Sequence, residues 1–364
     1  MRQTERIALV NGRVHTPMGI MDSLTFEAGC ITSVGKTSAS REGTRVIDLQ
    51  GRAVLPGFCD TSARLVQWAC EQEGISLGGG GLPDGEISRL LTAHAPQAAA
   101  LGLTEISSDD LGAFGHDFHR AWNFFMAAEL PFRLRPMLRL SSRGALMEVL
   151  SKGWRSGDGG PFCRMGPVVL DSSVETDELM ELVRDAHLAG MQLALDLPLE
   201  TAFPLMELCQ EHRQMTSRHL LMNLPVDGEG LDRMRALRLG GVARGEGCRA
   251  AMRKGIVVSA GSQWPLESPL AEMQRMAAGG PSSLSIAEAL EAYTWNGAWN
   301  GRNERRRGEI APGRDADLVV LERDPFSIQP EALTDLSAPR RGWLNKVALT
   351  VCAGCVTYDS GELN

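Results

Sequence analysis

Long apolar runs are missing from this chain. No segment approaches the length of a membrane span, and Met1 to Val14 holds only the four-residue run Ile7 to Val10, too short for the core of a secretory signal. Positive charge is also scarce. Lys and Arg number 37 against 45 Asp and Glu, for a net charge of −8. An acidic surface argues against nucleic acid and against anionic membranes as partners. The one basic run, Arg305-Arg306-Arg307, is short and reads as a solvated loop. Aromatic residues are few, at 5 %, whereas the 40 Gly point to many tight turns between short elements. The eight Cys have irregular spacing and sit mostly in apolar, strand-like surroundings. That pattern suggests reduced, buried thiols and a cytoplasmic protein. Cys352-Ala353-Gly354-Cys355 reads as a hairpin turn between two strands, because no βαβ context for a redox pair surrounds it.

The 364 residues, 43 % apolar and 23 % charged, suit one large α/β domain with a small companion. Short β segments with turn signals fill residues 7–57: Ile7–Leu9, Ser23–Glu27, Ile31–Val34, Val46–Leu49 and Ala53–Leu55. The same texture returns at 309–364, in Ala316–Leu321, Ala348–Val351 and Val356–Tyr358. These two ends are expected to meet as one β-sandwich domain over 1–57 and 305–364. The middle, 58–304, alternates apolar runs with helical patterns. Eight strand candidates follow: Val54–Asp60, Leu103–Ser107, Phe132–Leu140, Pro167–Asp171, Gln192–Asp196, His219–Asn223, Gly241–Arg244 and Ile256–Gly261. Alternation of this kind predicts right-handed βαβ units, and eight of them match the size of a (β/α)₈ TIM-like barrel. A doubly wound open sheet is the competing architecture, but no Gly-x-Gly-x-x-Gly follows the first strand.

Three stretches carry a resemblance. Leu55-Pro-Gly-Phe-Cys-Asp-Thr-Ser-Ala-Arg-Leu65 resembles the first barrel strand of the amidohydrolase superfamily, Leu-Pro-Gly-Phe-x-Asp-x-His-x-His-Leu. Ser259-Ala-Gly-Ser-Gln-Trp-Pro-Leu-Glu-Ser-Pro269 is similar to its last strand. Ala289-Leu-x-Ala-Tyr-Thr-x-Asn296, with Gly308-Glu-Ile-Ala-Pro-Gly-Arg-Asp-Ala-Asp-Leu-Val-Val320, looks like the exit helix and the return into the sandwich. The branch resembled is that of metal-dependent hydrolases of amide-type C–N bonds, amidohydrolase-3-like in character. The resemblance implies one or two divalent metals at the C-terminal mouth of the barrel.

The implied ligand positions are the departure. Ser62 and Arg64 stand where the family has His-x-His, and Gln263 where it has the Asp of strand 8. Val169 (or Val168) falls at strand 4, Asp196 at strand 5 and Asn223 at strand 6. Ser, Asn and Gln are neutral oxygen donors, Val has no donor, and Arg is a permanent cation with no lone pair to offer. A catalytic zinc needs about three imidazole, carboxylate or thiolate ligands and an open position. No cofactor is therefore expected, and the mouth residues Asp60, Ser62, Arg64, Val169, Asp196, Asn223 and Gln263 are expected to line a pocket. Arg64 is expected to pair with Asp196. The alternative is an active C–N hydrolase, either metal-free or with zinc relocated to His116 and His119 beside Asp109 and Asp110. The reading adopted is a degenerate homologue that binds a small-molecule ligand or supports a partner, as a homo-oligomer. The role of Gly74–Gln97 at the mouth stays open at this stage.

Overall fold

The computed structural model describes residues 5–35, 41–211, 218–243, 247–262, 266–278, 283–327 and 345–363. Strand and helix alternate through its middle. The parallel strands are Phe58–Ala63, Leu103–Ser108, Arg133–Pro136 with Leu138–Arg139, Val168–Asp171, Leu193–Asp196, Leu220–Leu221, Gly240–Ala243 and Val258–Ala260. Each pairs with its neighbours in chain order, as three strands in one sheet and six in another. Arg133–Arg139 belongs to both sheets. It is divided after Pro136, which has no N–H to give the ladder, while the Met137 N–H still bonds Ser108 O at 2.8 Å. The expected strand Val54–Asp60 is also divided, at Gly57. A Cβ there would lie 2.4 Å from the Thr104 side chain, so only glycine lets the chain pass so closely.

The expectation of a closed ring needs a correction. Among the described residues, no backbone ladder joins Val258–Ala260 to Phe58–Ala63. Side chains cross that seam instead: Thr61 Oγ1 lies 2.8 Å from Ser259 Oγ and donates to Ala260 O (2.8 Å). The last strand has three residues, and the first shifts register between Asp60 and Ala63, so neither offers a long straight edge. Helices pack their apolar faces on the outward side chains, such as Leu170, Leu193 and Leu195. Inward side chains Met137, Val169, Ala194, Leu220, Met222 and Val242 form a separate apolar plug.

Both ends of the chain build a six-stranded sheet, in the order Cys355–Asp359, Val347–Cys352, Leu318–Leu321, Ala53–Pro56, Arg13–Thr16, Gly19–Met21. A four-stranded sheet, Cys30–Val34, Leu24–Glu27, Arg6–Val10 and Thr44–Asp48, shares one apolar cluster with it. Two Ala-Gly pairs make the hairpins. Ala28 and Gly29 have φ of 49° and 83°, Ala353 and Gly354 52° and 74°, the left-handed pair that a two-residue turn between twisted strands requires. This hairpin is the whole role visible for the Cys352/Cys355 spacing. Among the described residues, no helix is long and apolar enough to cross a membrane.

A buried ionic cluster ties the start of the parallel strands to the C-terminal sheet. Arg133 Nε reaches Asp317 (3.0 Å), Arg307 Nε reaches Asp315 (3.0 Å), and the Arg307 fork also binds Glu105.

Candidate functional site

The residues expected to surround a metal reach the C-terminal ends of the parallel strands, but as several small groups. Asp60 is fully buried in the seam. Its carboxylate accepts the Ser62 N–H (3.0 Å) and the Ser262 N–H (3.0 and 3.1 Å), and it also binds the Ser262 hydroxyl. It serves the junction of first and last strands. Val169 sits below, inside the apolar plug that includes Met137 and Met222. Gln263 lies outside the described residues.

Asp196 and Asn223 do meet: Asn223 Nδ2 donates to Asp196 Oδ1 at 3.2 Å. The cation beside Asp196 is not the expected Arg64. Arg139, on the third strand, holds that place. Its Nε donates to Asp109 (2.6 Å), one terminal nitrogen binds Asp171, and the other lies 3.8 Å from Asp196. One guanidinium therefore gathers carboxylates from the ends of strands two, four and five. Burial alone would push the Asp171 carboxyl up, but bonds from the Ser173 hydroxyl and amide and from Arg139 outweigh it, and the group lies below the usual carboxylate range. The strand ends Asp109, Arg139 and Asp171 were visible in the sequence as charged residues closing apolar runs. Their convergence was not.

Arg64 faces a neighbouring cleft of about 190 Å³, lined by Gln67, Leu77, Asp109, Asp110, Ala113, His116 and Arg139 among others. Asp110 forms its buried floor, accepting the Val66 N–H (2.8 Å) and the Ser108 hydroxyl (2.6 Å). Burial outweighs those bonds and pushes its carboxyl up to about 6. The open question about Gly74–Gln97 has an answer here. Leu82 N–H bonds Ala113 O (2.8 Å), Gly80 and Gly81 press on the Ala113–Gly115 backbone, and Leu77 lines the cleft. The glycine-rich stretch thus walls one side of the mouth. From Asp84 the chain becomes the helix Asp84–Ala100.

The relocated donor set does not assemble. His116 lines the cleft, but the His119 ring packs at 5.0 Å from Trp154 and its Nε2 lies 3.7 Å from Glu148. Among the described residues, one group of three metal-type donors converges, His187, Cys209 and His219. It is buried beside the start of the sixth strand, far from the strand ends that form the mouth. The Leu193 N–H donates to His219 Nδ1 (3.0 Å), so the neutral ring carries its proton on Nε2 and gives it to His187 Nδ1 (2.9 Å). That proton occupies the lone pair a metal would need. Burial pushes His219 down to about 3 and the Cys209 thiol up to about 12, so neither a second proton nor a thiolate is favoured. The trio is a packed hydrogen-bonded pair with a thiol neighbour.

A second cavity, of about 670 Å³, lies elsewhere. It runs along the helix Asp84–Ala100 to Phe132 and Cys355, and its lining is mostly apolar.

Comparison with known proteins fits this architecture. A family model described as "Amidohydrolase family" matches residues 232–358. Imidazolonepropionase of Deinococcus radiodurans is 26 % identical over 352 residues, which cover 82 % of this chain and 85 % of that protein. YtcJ of Bacillus subtilis, provisionally named an amidohydrolase, is 33 % identical over 125 residues. That match covers 30 % of this chain and spans only 22 % of the YtcJ length. These similarities support membership of the amidohydrolase superfamily.

Solved amidohydrolase-type structures share its mixed α/β fold. An uncharacterized metal-dependent hydrolase from Pyrococcus furiosus superposes with a TM-score of 0.71 at 13 % identity, over 88 % of this chain and 99 % of the other. An adenosine deaminase from Xanthomonas campestris with bound zinc gives 0.72 at 14 % identity, over 98 % and 94 %. The metal implied by the superfamily does not fit the residues described at this mouth. Ser62, Val169 and Asn223 offer no anionic or imidazole donor, and Asp196 shares its carboxylate with Arg139 and Asn223.

Proposed function

We propose that this chain is a superfamily member whose mouth has lost its metal centre and serves to bind a small molecule or support a partner. The observation that carries the reading is the Arg139 guanidinium among Asp109, Asp171 and Asp196. A fixed protein cation stands among the carboxylates that would otherwise draw a divalent ion and offsets part of their charge. Unlike a metal, it has no open coordination position and cannot lower the pKa of a bound water. The finer architecture belongs to the same proposal: a (β/α)₈ barrel over 58–304 and a β-sandwich from 1–57 and 305–364. The sequence-ordered parallel strands and the sheet shared by both termini support it. A cytoplasmic homo-oligomer is the accompanying expectation.

Elemental analysis tests the reading. The protein is purified without chelator, offered zinc, manganese and nickel, and desalted. Substoichiometric metal is the expected result. About one tightly held equivalent would overturn the proposal and favour the alternative, an active hydrolase of C–N bonds.

A further inference from the structure

The cleft beside the Arg139 cluster contains a cation whose charge nothing in the described chain answers. Arg64 opens the helix Leu65–Gln72, and its carbonyl accepts the Trp68 N–H at 2.9 Å, so its backbone is fixed. The side chain is half-buried at the cleft wall. Among the described residues, it makes no ion pair. Nearby arginines differ: Arg139 holds Asp109 and Asp171, Arg120 holds Asp84, and Arg89 holds Glu73 and Glu86. The two carboxylates that share the cleft with Arg64 are already committed. Asp109 lies 2.6 Å from Arg139 Nε, and Asp110 turns into the helix start to accept the Val66 N–H and the Ser108 hydroxyl.

We propose that this cleft binds a small organic monocarboxylate through the Arg64 guanidinium. The inference rests on the reading of the mouth as a metal-free ligand site. A guanidinium presents parallel N–H donors that match a planar carboxylate and hold it by two bonds. His116 adds a ring at the rim. Its backbone is kept in the left-handed region (φ 63°), with its N–H bonded to Leu111 O at 3.0 Å. Leu77 and Ala113 supply an apolar wall for a short aliphatic tail. The volume limits size: 190 Å³ has room for about six waters at ~30 Å³ each, hence a ligand of about that many non-hydrogen atoms. Asp109 and Asp110 line the same cleft and repel a second negative charge, which disfavours dianions.

Titration calorimetry on the full chain, freed of metal by chelator and desalted, tests this. The probes are propionate, propionamide, succinate and phosphate. Propionate should bind, and propionamide should bind at least about tenfold more weakly, the scale of a lost charge-assisted bond. R64Q should lose at least about tenfold in propionate affinity while its thermal midpoint stays put, since Arg64 has no ion-pair partner among the described residues. R64K should fall between. Equal propionate affinity in R64Q, or phosphate and succinate matching propionate, overturns the assignment. If no carboxylate binds while metal content stays near zero, the carboxylate site falls and the metal-free mouth stands. If binding appears only with added zinc, both fall.

Discussion

Replacing Arg139 by Met removes the charge that holds three strand ends together while leaving most of the side-chain volume. Arg139, Asp109 and Asp171 have side chains 22 %, 10 % and 23 % exposed, so the pairs are shielded but not sealed. Breaking one partner of a fully buried pair costs about 3–5 kcal/mol, and an exposed pair about 0.2–1. An intermediate loss of about 2–3 kcal/mol is expected at pH 7. The contact to Asp196, 42 % exposed and at 3.8 Å, is left out because solvent screens it. The pH dependence has a definite sign. Asp171 is depressed in the folded protein, so its contribution is present above the unfolded carboxylate pKa of about 3.9 and is lost as pH falls through the folded value. In R139M the Asp171 carboxyl loses the Arg139 contribution that helps hold it down. The stability gap between parent and variant is therefore widest near neutrality and narrows on acidification below about pH 4. Urea unfolding at pH 7 and pH 3 reads both effects. Oxygen-rich sites left without their cation also attract hard divalent ions. At about ten times its Kd, calcium should return about 1.4 kcal/mol to R139M and nothing to the parent. A loss under about 0.5 kcal/mol at pH 7, or a gap that widens in acid, refutes the view that this guanidinium does a metal's electrostatic work.

Other perturbations follow from the same geometry. R307M takes the ion-pair partner from buried Glu105, while Asp315 and Asp317 keep Arg133, and should cost about 3–5 kcal/mol in urea unfolding. His219 is depressed to about 3, so the folded state loses stability as pH falls from about 6.5 towards 3, at about 1.4 kcal/mol per unit. H219Q should flatten that slope in acid titrations followed by circular dichroism. Gly261 sits at the seam, where a Cβ would lie 2.6 Å from Ser62 N, so G261A should cost about 1–3 kcal/mol, read as a lower midpoint in thermal unfolding.

The sequence alone determined what depends on local period and residue chemistry. Apolar runs separated by helical patterns placed the parallel strands to within a few residues. Ala-Gly pairs marked the two tight hairpins, because both positions need positive φ. The lack of imidazole or carboxylate at Ser62, Arg64, Val169 and Asn223 was equally legible, since folding does not change which donor atoms a side chain carries. Tertiary structure decided which charges meet. Arg64 and Arg139 both stand at strand ends, and no spacing along the chain tells which guanidinium reaches Asp196. That choice depends on the tilt and pairing of strands two to five, which bring Asp109, Asp171 and Asp196 around Arg139 and leave Arg64 facing an open cleft. The same holds for the seam. Local patterns announce two apolar strands, but the short last strand and the register shift after Asp60 leave side chains, not a backbone ladder, to join them.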